Sequence, residues 1–62
     1  MTGTNWLIVY KNTRDTYVRQ GEVDYLKYAF EDTVDRIALN EKLTRQQAKE
    51  YLNGLMPLVE GV

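Results

Sequence analysis

The chain has 62 residues, nine acidic and eight basic, with neither cysteine nor histidine. That length allows one small domain. The composition excludes a disulfide staple, an ordinary structural zinc site and, with serine also missing, the usual nucleophile triads. The four glycines are isolated from one another, so no phosphate-binding loop can form.

The charges nearly cancel, but their placement is uneven. Residues 1–21 hold Lys11, Arg14 and Arg19 against Asp15. Residues 22–35 hold Glu22, Asp24, Glu31, Asp32 and Asp35 against Lys27, and residues 36–62 return to a weakly basic balance. Such blocks suit a partner with a charged surface, although a solvated helix face gives the same pattern. A domain of this size has little apolar surface to spare. It gains margin by tight packing or by burial against another chain.

In chain order, residues 1–4 are polar and expected to fray. No basic stretch precedes the apolar run 6–10, and that run is too short for a signal segment or a membrane span. A cytoplasmic protein without membrane contact is therefore expected. The initial Met1 and the lack of a tag suggest a whole small reading frame. Residues 6–11, Trp-Leu-Ile-Val-Tyr-Lys, are rich in β-branched and aromatic types and predict a strand over 5–11. Residues 12–15, Asn-Thr-Arg-Asp, read as a turn. Residues 16–20 alternate and predict a return strand.

Trp6, Ile8 and Tyr10 would then face one side of the hairpin, and Leu7 and Val9 the other. Both rows are apolar, and one helical layer covers only one of them. Either a further element of the same chain, such as residues 57–59, covers the other row or a second copy does. The second reading, self-association through Trp6, Ile8 and Tyr10 and hence a homo-oligomer, is the one expected.

Gly21 ends the hairpin and a helix is expected over 22–41. Val23, Leu26, Phe30, Val34 and Ile37 recur at steps of three and four and make its buried stripe, flanked by Ala29 and Thr33. Asp24 or Glu22 sits in its first turn, favourable with the helix dipole. Asp32 with Arg36, and Lys27 with Glu31, stand four apart on its surface. A second helix is expected over 45–54. Thr44 is its N-cap, Gln47 closes a capping box, and Leu43 with Ala48 makes a small staple. Ala48, Tyr51, Leu52 and Leu55 form its apolar face. Asn53-Gly54 offers a C-cap, and Pro57 blocks a continuation. The expected fold is α+β, a β-hairpin followed by two α-helices, ββαα, in one domain.

Glu31 and Asp35 lie one helical turn apart, with Asp24 two turns before Glu31, an arrangement that invites a magnesium reading. Metal ligands usually converge from several elements, so these acids are better read as a solvated face. No catalytic residue, metal or cofactor is assigned, and an enzyme is not expected.

Two binding readings remain. Residues 35–52 loosely resemble helix-turn-helix spacing, which would place Arg45, Gln46, Gln47 and Lys49 toward a DNA groove as a small transcriptional regulator. Lys42 stands where such turns often use glycine, and the acidic helix face would lie near the DNA. The favoured reading is a protein-interaction module, an inhibitor or adaptor. Tyr25 and Tyr28 share an arc with Leu39 and with Glu31, Asp32 and Asp35, and aromatic anchors among acids suit a basic protein surface.

Overall fold

A computed structural model describes the backbone of residues 3–60 and the side chains of residues 5–56. Three helices follow one another: α1 (Gly3–Arg19), α2 (Tyr25–Glu41) and α3 (Arg45–Glu60). No strand occurs among the described residues, so the α+β, ββαα expectation is wrong and the fold is a small helical bundle.

The strands expected over 5–11 and 16–20, and the turn between them, are one continuous helix. The reason lies in burial. Helical spacing puts Trp6, Tyr10, Thr13 and Tyr17 on one stripe. Trp6 and Tyr10 are buried, and Thr13 and Tyr17 are half-buried. A hairpin would have left an apolar row in water, whereas the helix gathers the two largest side chains of that row onto the core. Strand preference spans only about 1 kcal/mol and yields to such packing. Residues 12–15 form no turn, and the threonine hydroxyls bond back along the helix instead: Thr13 Oγ1 donates to the Val9 carbonyl at 2.8 Å and Thr16 Oγ1 to the Asn12 carbonyl at 3.0 Å.

α1 ends in a Schellman motif. The Glu22 N–H reaches the Tyr17 carbonyl at 3.1 Å and the Gly21 N–H the Val18 carbonyl at 3.0 Å. Gly21 sits at φ +79°, the left-handed region where a side chain is strained.

α2 starts at Tyr25, later than expected, with Asp24 at its N-cap and making no side-chain cap bond. Val23 therefore lies before the helix and is 90% exposed, and Leu26 is half exposed. The buried stripe is Ala29, Thr33, Val34 and Ile37, with Phe30 half-buried beside it. Thr33 satisfies its hydroxyl by donating to the Ala29 carbonyl at 2.7 Å.

Lys42 closes α2 in a left-handed conformation, φ 56° and ψ 44°, a position that glycine usually fills. The Leu43 N–H then reaches the Ala38 carbonyl at 3.0 Å. Thr44 caps α3 as the sequence indicated: its Oγ1 accepts from the Gln47 N–H at 3.1 Å, and its own N–H donates to Gln47 Oε1 at 3.0 Å. α3 does not stop at Gly54 but runs through Pro57 to Glu60. The helix continues although the missing Pro57 N–H cannot bond the Asn53 carbonyl. The suggested cover from residues 57–59 lies outside the described side chains.

The three helices share one core. Trp6 from α1, Val34 and Ile37 from α2, and Ala48 and Leu52 from α3 are buried together, with Val9, Phe30, Ala38, Leu43, Leu55 and Met56 packed around them. The Trp6 indole N–H donates to Glu41 Oε1 at 3.2 Å, tying the first turns of α1 to the last turn of α2. Among the described residues, no helix is long and apolar enough to cross a membrane.

Candidate functional site

The residues expected to bind a partner all lie on α2, and most are engaged within the chain. On one side, Tyr17 of α1 donates its phenolic hydrogen to Asp32 Oδ2 at 2.6 Å. Its ring lies against Tyr28, centroids 5.4 Å apart and planes tilted by 43°. The bond to Asp32 holds the Tyr17 pKa above its ordinary value, with partial burial and the Asp32 charge adding to it. On the other side, Arg45 of α3 forks over two carboxylates: Nη2 meets Glu31 Oε2 at 2.6 Å and Nη1 meets Asp35 Oδ1. Tyr25 is half-buried near the start of α2.

The residues assigned to DNA are thereby redistributed. Arg45 pairs with Glu31 and Asp35 of the acidic arc, Gln47 closes the capping box and Gln46 Nε2 donates to Glu50 Oε1 at 3.3 Å. Lys49 is exposed on α3. The acidic face and the basic helix start, read from the sequence as rival sites, are two halves of one surface contact.

The self-association row is also divided. Trp6 and Tyr10 are buried inside the chain, while Ile8 points away, 51% exposed. With no strand there are no two apolar rows, and the reason for pairing through them is gone.

One outer stripe of α2 is only partly engaged: Tyr17 holds Tyr28 and Asp32 and Arg45 holds Asp35, while Leu39 stands exposed. Tyr28, Asp32, Asp35 and Leu39 follow one another at steps of four, three and four, opposite the Val34/Ile37 side. Leu39 at one end is 82% exposed and Tyr28 at the other 39%. The stripe spans about 16 Å at 1.5 Å per residue. It has apolar groups at its ends and carboxylates between. Tyr17, which supports it from α1, was not singled out from the sequence. The signal was its place in the 6, 10, 13, 17 spacing, masked by the strand-like composition of residues 6–10.

A groove of about 430 Å³ runs between α1 and α2, lined by Asn12, Thr16, Gln20 and Arg36 next to the Tyr17–Asp32 pair. The hydroxyls of Thr13 and Thr16 in its lining are engaged with backbone carbonyls. Among the described residues, no three acidic side chains gather to hold a metal ion. No family model, no curated protein and no solved structure matches this chain.

Proposed function

We propose that the chain is a small, non-enzymatic, cytoplasmic binding module, an inhibitor or adaptor that docks a basic protein surface with the outer stripe of α2. The observation that supports this reading is Leu39, 82% exposed on the same stripe as Tyr28, Asp32 and Asp35. Anchors at steps of three and four are how a helix enters a partner's groove. An exposed leucine alone needs no explanation. A leucine and a tyrosine bracketing two carboxylates make a pattern, with apolar contact at each end and charge to steer and orient between.

The ion pairs of Arg45 do not close this surface. Both carboxylates and the guanidinium are about half exposed, and exposed pairs contribute little stability. A partner's cation can therefore share or replace Arg45. The DNA reading has less support, since Gln47 closes the capping box of α3 and the carboxylates of Glu31 and Asp35 lie against Arg45, where a phosphate would have to approach.

The test is crosslinking from a photoreactive side chain at position 39, compared with one at the exposed Asn53, in extract of the source cells. The recovered partner is then titrated against purified parent and Leu39→Ser proteins. The expected result is crosslinking from position 39 alone, affinity that falls as salt rises, and binding lost in Leu39→Ser at unchanged melting temperature. Equal crosslinking from both positions, or full binding by Leu39→Ser, would refute the assignment.

A further inference from the structure

We infer that residues 6–10 are a latent β-pairing surface whose partner, once α1 leaves the core, is the same segment of a second copy of this chain. The inference rests on a conflict between the segment's composition and its conformation. Trp-Leu-Ile-Val-Tyr is an unbroken run of aromatic and branched residues with no charge, glycine or proline. Extended, it presents Trp6, Ile8 and Tyr10 on one face and Leu7 and Val9 on the other, so both faces can interdigitate in a dry zipper between stacked strands.

In the native chain the run is instead the first half of α1. What protects it is tertiary contact. Trp6 and Tyr10 are buried, and Val9 packs against the core cluster. The helix brings little of its own. It has no acidic residue in its first turn, and two of its threonines turn their hydroxyls back to the backbone, a habit of residues that are weak helix formers. Its protection therefore depends on α2 and α3 staying in place, with Leu52 of α3 in the same buried cluster as Trp6.

Two further features favour like pairing with like. The net charge is −1, so copies repel one another little. Every chain also carries the segment in the same register, which in-register stacking requires. Lys11 and Arg14, just beyond the run, are the kind of flanking charges that restrain such pairing without removing it.

The full chain carrying Leu52→Ala, which opens the core beside Trp6 and leaves the sequence of the segment unchanged, tests this by dye-binding fluorescence, infrared amide bands and sedimentation across a concentration series. Parallel samples of the parent chain are held at its melting midpoint. Concentration-dependent fibrils rich in β-structure are expected in both. Ile8→Lys, at an exposed position, placed in either background should abolish the fibrils without moving the melting temperature. Leu39→Lys, an equal charge change on α2, should leave them intact. Amorphous aggregates without a β signature would overturn the inference, as would fibrils that persist with Ile8→Lys or vanish equally with Leu39→Lys.

Discussion

Tyr17 and Asp32 join α1 to α2 through a 2.6 Å hydrogen bond in which the phenol donates to the carboxylate. The same tyrosine ring rests against Tyr28, four residues earlier on α2. One α1 side chain therefore engages two members of the outer α2 arc, and the arc cannot be read as a free surface.

Tyr17→Phe keeps the ring contact and removes the bond. Its melting temperature should fall below the parent's. The pH dependence follows from the raised Tyr17 pKa. The folded chain holds the phenolic proton more tightly than the unfolded chain, so this contribution is complete below pH 10.0, the ordinary value, and is lost as pH rises through the folded pKa. Parent stability should decline with alkalinity more steeply than that of Tyr17→Phe, as urea titrations across that range will show.

Glu41 gives the opposite sign. The Trp6 indole N–H beside it is the largest influence lowering its pKa below the ordinary 4.5. The ionised form is favoured by folding, so the contribution is present above pH 4.5 and is lost as pH falls through the lowered value. Glu41→Gln keeps an acceptor for the indole but cannot titrate. Its acid unfolding should be less steep than the parent's, measured by Trp6 fluorescence against pH.

The two helix-ending turns should respond oppositely to glycine exchange. Gly21→Ala puts a side chain at φ +79° and should cost about 1–2 kcal/mol. Lys42→Gly removes a side chain from φ 56° and should gain about 0.5–1 kcal/mol after the added freedom of the unfolded chain is counted. Chemical denaturation of both variants measures the pair.

The buried stripe of α2 can be separated from the one the sequence suggested. Ile37 is fully buried and Ile37→Ala should cost about 2–5 kcal/mol. Val23 was grouped with it by spacing but lies outside the helix, 90% exposed, and Val23→Ala should stay within about 0.5 kcal/mol of the parent. Thermal melts of both variants suffice.

The parts that were legible in the sequence carried two independent signals. α3 begins where Thr44 and Gln47 announced it, because a capping box is a local device that needs no distant partner. Most of α2 follows from its apolar period, but the period alone could not tell that Asp24 ends the turn and leaves Val23 outside. α1 was misread because residues 6–10 are a short apolar run, which periodicity cannot assign, and strand preference broke the tie. What decided it was long-range: Trp6 against Val34, Ile37 and Leu52. At the site, the carboxylates were visible on one helix face, but their partners Tyr17 and Arg45 lie 15 and 10 residues from Asp32 and Asp35 along the chain. Such pairings are made by the fold and have no local mark.

Proton–proton distance data on the intact chain test the helical docking of α1, on which the outer α2 stripe and the latent segment both depend. Cross-peaks between the Tyr17 and Tyr28 rings, with sequential amide-to-amide contacts running unbroken from residue 5 to residue 19, are the expected result. Cross-strand contacts linking residues 6–10 with 16–20 in the native chain would contradict it.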